Sequence, residues 1–132
     1  MTTRSSGFTL IELLVVVAIL GIISAIGVVA YNGYISGTQK KSAENMMQQI
    51  GLAETEEYSS YGSYYGEDSI CDVDTTQDIG SNLFGSIDYI DKDKIGYYFC
   101  VLATGSTYTV HAQSIKAGCN MTLDSSGNFT KC

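Results

Sequence analysis

Proline and tryptophan are absent from this 132-residue chain, histidine occurs once, and only 7 basic residues stand against 14 acidic ones. Each scarcity closes a class of function. A formal net charge of −7 argues against a protein whose main task is gripping phosphate backbones, which takes a Lys/Arg footprint. The single histidine, His111, alternates with strand-forming neighbours and has no Ser, Cys or carboxylate at a telling spacing. Nucleophilic and general-base catalysis therefore lack their usual parts. No phosphate-cradling glycine loop occurs, and no two cysteines have the Cys-x-x-Cys spacing of zinc or thioredoxin-like sites. Asp72, Asp74 and Asp78 hint at calcium, but their loop lacks the Gly and the distal Glu of an EF-hand. The chain reads as a non-enzyme with no cofactor and no metal.

Charge is scarcest in one place. Phe8–Tyr31 is a run of 24 residues with a single charge, Glu12. As an α-helix at about 1.5 Å per residue it spans about 36 Å, enough for a bilayer core. Its roughly fifteen large apolar side chains, at about 2 kcal/mol each, would cost on the order of 30 kcal/mol if left in water. Lipid or other helices must cover them. A cleaved secretory signal fits poorly: the run is too long, and Ile, Val and Tyr follow it instead of a small-residue site. The small residues lie before the run, at Ser5-Ser6-Gly7, and Arg4 on that side orients the span with the rest of the chain outside the cytoplasm.

Glu12 needs compensation, because a carboxylate inside a membrane helix costs a few kcal/mol at mid-depth and less near an end. Cleavage after Gly7 would free an α-amine on Phe8, one helical turn before Glu12. The two charges can pair within a chain or between neighbouring chains, and a pair between chains would set axial register in an assembly. The alternative is a lone Glu that snorkels to the interface.

The stretch Gly7-Phe8-Thr9-Leu10-Ile11-Glu12-Leu13, with the short leader before it and the span after it, resembles the processing and methylation motif of type IV pilins and pseudopilins. The likeness continues through Gly21 to Ala30-Tyr31 and Tyr34, covering residues 4–35. It implies an α+β pilin fold: a long N-terminal helix packed on a small antiparallel sheet, with a disulfide-closed C-terminal loop. It also implies that residues 1–7 are a leader removed by a prepilin peptidase, that Phe8 becomes N-methylated, and that Glu12 guides subunits into a filament. The partners implied are other copies of the chain, the inner membrane before assembly, the pilus assembly machinery, and DNA or host and surface ligands. The precursor would be a single-pass inner-membrane protein and the product an extracellular pilus for adhesion, twitching motility or DNA uptake. One departure is Val29, where family members usually have Pro. Helix loosening there would rest on Gly21, Gly27 and Val28-Val29, each worth about 1 kcal/mol or less.

Beyond Ile35, Ala43, Met46, Met47, Ile50 and Ala53 recur at spacings of three and four, so the helix continues with one apolar face. We expect one helix over residues 8–58 and a globular head over 59–132. Residues 59–94 read as a turn-rich surface connection, and its cluster of Tyr58, Tyr61, Tyr64 and Tyr65 as a sticky patch or as packing against a sheet. Ile95–Ala103 and Thr107–Ile115 flank Thr-Gly-Ser, and Cys119–Asp124 and Asn128–Cys132 flank Ser-Ser-Gly, giving two hairpins. All four cysteines, Cys71, Cys100, Cys119 and Cys132, follow the apolar run, which suggests two disulfides and an oxidising compartment. Three pairings are possible. The favoured one has Cys119–Cys132 closing the terminal hairpin and Cys71–Cys100 tying the connection to the first strand.

Two other roles share the N-terminal motif. One is a pseudopilin of a type II secretion system, which the two-disulfide head disfavours. The other is a minor pilin acting as a DNA receptor, which requires Lys92, Lys94, Lys116 and Lys131 to form a basic stripe.

Overall fold

The computed structural model describes residues 7–116 and 118–132; Arg4, Ser5, Ser6 and the rest of the expected leader before Gly7 lie outside the described residues. Its elements run α1 (Leu10–Tyr61), α2 (Val73–Leu83), α3 (Lys92–Ile95), β1 (Tyr97–Thr104), β2 (Thr107–Ser114), β3 (Asn120–Asp124) and β4 (Phe129–Thr130). The chain divides into two compact units, one ending at Gly37 and the other running from Thr38 to Cys132.

The first unit holds the beginning of α1, apolar and long enough to cross a membrane. Helix α1 is unbroken through Gly21, Gly27, Val28 and Val29. It starts at Leu10, two residues later than the sequence suggests, and ends at Tyr61 instead of residue 58. The head also gathers in the helix from Thr38 onward, so the division falls at 37/38 and not at 59. The reason is the apolar face: Ala43, Met46, Met47 and Ile50 are buried in the same core as the strands.

The second unit is a helix face laid on an antiparallel meander in the order β1-β2-β3-β4. In β2, Tyr108, Val110 and Ala112 are buried at alternate positions, and in β3, Met121 and Leu123 are. Register places Val110 opposite Val101 on one side and Leu123 on the other. Phe99 is fully buried and belongs to the same core.

The connection expected to be only turn-rich contains α2. Its start is marked by a capping box: the Asp72 carboxylate accepts from the Thr75 N–H at 2.8 Å, and the Thr75 hydroxyl accepts from the Asp72 N–H at 2.9 Å. Gly80 and the run of polar residues hide the helix in the sequence. What holds it is tertiary, since Thr75, Thr76, Ile79 and Gly80 are buried. Gly80 is required because a side chain there would meet the Ser86 carbonyl.

Helix α2 and the segment before it also cover the outer edge of β1, which would otherwise offer unpaired backbone groups. The Thr76 hydroxyl accepts from the Phe99 N–H at 2.9 Å, and the Thr75 hydroxyl donates to the Phe99 carbonyl at 2.9 Å. Further along, the Asp68 N–H donates to the Val101 carbonyl and the Ala103 N–H to the Gly66 carbonyl, both at 3.1 Å. Gly66 has φ +131°, and any side chain on it would collide with the Val101 backbone.

Candidate functional site

Gly7 and Phe8 precede the helix and are exposed. Thr9 immediately precedes helix α1. Its carbonyl accepts from the Leu13 N–H at 3.1 Å. Its own N–H donates to the Glu12 carboxylate at 3.0 Å, while its hydroxyl accepts from the Glu12 N–H at 3.2 Å. These reciprocal bonds make a capping box, in which two otherwise orphaned donors at a helix start are satisfied. The carboxylate also sits where a helix N-terminus favours negative charge. Thr9 was not singled out in the sequence, although the Thr-x-x-Glu spacing was the signal.

From Leu10 to Tyr34 every residue of α1 is exposed in the isolated chain, including Leu10, Ile11, Ile22, Ile26 and Val29. A surface this apolar and continuous demands a cover, whether lipid or protein. A side chain at Gly7 would meet nothing within 4 Å, so nothing in the described chain demands glycine at that position.

The disulfides join Cys71 to Cys100 and Cys119 to Cys132, across 29 and 13 residues. The first is buried beside α2; its Cys100 is fully inaccessible. The second holds the chain end, where the Lys40 ammonium donates to the Cys132 carbonyl at 3.0 Å. Lys131 pairs with Glu44 of α1 at 3.2 Å. Burial pushes the Glu44 carboxyl up, but Lys131 and Lys41 outweigh it and hold it below the usual carboxylate value.

Other residues singled out in the sequence fall to structural roles. Lys92 lies 3.6 Å from Asp93, Lys94 lies 4.0 Å from Asp91, and Lys131 is paired with Glu44. Three of the four lysines of the imagined basic stripe thus sit beside carboxylates. His111 is in β2 opposite Cys100 and Thr122, and burial holds its imidazole below the usual value. Asp72 caps α2, and among the described residues no group of three or more acidic, His or Cys side chains is arranged to hold a metal. The tyrosine cluster is divided: Tyr64 stacks on Tyr58 at 4.6 Å and meets Tyr108 edge-on at 4.8 Å, while Tyr61 is exposed.

Long helix, small antiparallel sheet and disulfide-closed C-terminal loop match the type IV pilin fold. A family model described as the prokaryotic N-terminal methylation motif matches residues 2–28. The chain is 34% identical over 88 residues to a fimbrial protein of Neisseria meningitidis serogroup B, an alignment covering 67% of this chain and 52% of that protein. It is 39% identical over 64 residues to a type IV major pilin of Neisseria gonorrhoeae, covering 48% of this chain and 39% of the relative. It is 56% identical over 39 residues to a type IV major fimbrial protein of Dichelobacter nodosus, covering 30% and 24%. No solved structure matches. The chain spans about half the length of the first of these relatives. The methylation motif and these homologues support a type IV pilin, and such homologues are structural proteins, not enzymes.

Proposed function

We propose that the chain is a structural subunit of a type IV pilus. A prepilin peptidase removes residues 1–7 by cutting after Gly7, and Phe8 is then N-methylated. The precursor rests in the inner membrane through the first part of α1, with the head outside the cytoplasm. Polymerisation transfers that helix from lipid to a bundle of like helices in an extracellular filament. The filament serves adhesion, twitching motility or DNA uptake.

The observation that carries this reading is the exposed apolar helix of Leu10–Tyr34, opened by the Thr9–Glu12 capping box directly after Gly7-Phe8. Lipid is as apolar as the bundle, so packing of helix on helix favours assembly, and the hydrophobic effect keeps the helices together once the filament stands in water. Glu12 supplies registry: once the leader is gone, the Phe8 amine lies close to the carboxylate that already holds the Thr9 N–H. A cation this near an anion in an apolar setting is worth more than it is in water.

Intact mass spectrometry of filaments sheared from expressing cells tests the proposal. The expected species begins at N-methyl-Phe8 and is four hydrogens lighter than the reduced chain. A processed chain that stays in the inner-membrane fraction and is missing from sheared material would instead mark a pseudopilin. A mature chain that keeps its leader would leave only a plain membrane anchor.

A further inference from the structure

Glu54 is the carboxylate that nothing in the assembly reading uses. It lies on α1 in the head, fully inaccessible. One oxygen, Oε2, accepts from the Tyr65 N–H at 2.8 Å. The other, Oε1, is buried with no partner. A buried carboxylate with an unsatisfied oxygen is among the costliest arrangements in a protein interior, and it is far cheaper neutral than charged. Burial pushes this carboxyl up to about 7, against the Tyr65 N–H and helped by nearby Glu57.

The bond to Tyr65 is a fastening. Tyr65 begins the segment whose Gly66 and Asp68 cover the edge of β1 at Ala103 and Val101. Besides this bond, the segment is held by its two backbone bonds to β1, by the Tyr64 ring against Tyr58 and Tyr108, and by Asn82 on the Tyr65 hydroxyl, while like charges around it push it off. A cleft of about 410 Å³ beside it is lined by Glu57 of α1, Glu67 and Asp68 of the segment, and Asp78 of α2, together with Tyr64 and Tyr65. No lysine or arginine is among the described residues lining it. Of the other groups that feel Glu54, Tyr108 of β2 has its phenol pushed up, first by burial and further by Tyr64, Glu54 and Asp124. The Tyr65 phenol is pushed up by burial, Asp78, Asp68 and Glu54, and its oxygen accepts from Asn82 at 3.3 Å.

We propose that Glu54 is a proton-sensitive latch: its protonation seats residues 64–68 on the edge of β1, and its ionisation lifts them. The neutral carboxyl keeps its acceptor for the Tyr65 N–H and places no charge in the dry interior. Once ionised, Oε1 needs water, and lifting the segment that covers it admits water. The lifted state adds a second consequence. The Val101 carbonyl and the Ala103 N–H become free, and a bare sheet edge pairs with any extended strand that reaches it.

Amide hydrogen exchange of the full chain in detergent micelles tests the latch. Protection at Asp68 and Ala103, corrected for intrinsic exchange, is expected to fall at least about tenfold between about pH 5.5 and pH 8.5. Protection at Val110, in the middle of the sheet, should stay constant. Glu54→Gln, nearly the same shape and unable to ionise, should keep Asp68 and Ala103 protected at both pH values. His111→Gln should leave the wild-type response in place. An unchanged pH response in Glu54→Gln, a response that vanishes in His111→Gln, or a loss of protection shared by Val110 would each overturn the proposal.

Discussion

The two parts of α1 are made of the same backbone bonds and are covered in opposite ways. From Leu10 to Tyr34 the helix exposes every side chain, apolar all round. From Thr38 onward only one face is buried, through Ala43, Met46, Met47, Ile50 and Glu54, and the other is exposed and mostly polar, with Leu52 and Tyr61 among its exceptions. A helix apolar on all sides belongs in lipid or in a bundle, whereas a one-sided helix belongs on a domain surface. The comparison teaches that helix formation and helix burial are separate decisions. Hydrogen bonding within α1 is satisfied throughout, but only the second part finds its apolar partners within the described chain.

The comparison breaks first at the core. Phe99→Ala removes a fully buried ring and should cost about 4 kcal/mol of head stability. Leu14→Ala, on the exposed part of α1, should change head unfolding by less than about 0.5 kcal/mol. Denaturant unfolding in micelles, followed by near-ultraviolet circular dichroism, reads both. Equal effects would mean that the two parts do not unfold independently.

Acidity sharpens it next. Glu54 binds its proton more tightly in the folded head, at about 7 against an ordinary 4.5. Its contribution is therefore complete below about pH 4.5 and is lost as pH rises through about 7. The loss is on the order of 3 kcal/mol, and Glu54→Gln should abolish it. Glu44, held below its ordinary value by Lys131 and Lys41, acts in the other direction: its contribution is present above about pH 4.5 and fades as pH falls. Head stability should thus peak in mildly acid solution, which melting curves across pH would show.

Smaller effects lie at the two ends of the chain. Cys119→Ser with Cys132→Ser opens a loop of 13 residues and should lower head stability by about 2–3 kcal/mol. The far-ultraviolet signal of α1 should persist at temperatures where the head has melted. Thr9→Val removes one half of the N-terminal capping box, worth about 1 kcal/mol. Its expected trace is faster amide exchange confined to the first turn of α1, with the head melting as before.

The α+β class was legible because its signals are local. The apolar run, the spacing of Ala43, Met46, Met47 and Ile50, and the alternation of Tyr108, Val110 and Ala112 all follow from side-chain period alone. Glu12 stood out as the one charge in an apolar run, and its partner Thr9 was within reach of the same local reasoning. Helix α2 was not legible, because Gly80 and its threonines are poor helix formers, stabilised there by bonds to Phe99, which lies far along the chain. Glu54 was invisible too, since Glu54-Thr55-Glu56-Glu57 reads as a solvated face.

By itself, then, the sequence determined that this chain has a helix needing an external cover, a small disulfide-bearing head and a carboxylate at the helix entrance. Period, charge and length decide those properties within a few turns of chain. Only the tertiary structure decided that Thr75 and Thr76 would close one stretch of the sheet edge and Gly66 and Asp68 another. It also decided that one glutamate among several would lose its water. Burial is a property of where distant segments meet, and desolvation acts on a carboxylate only once that meeting has excluded solvent.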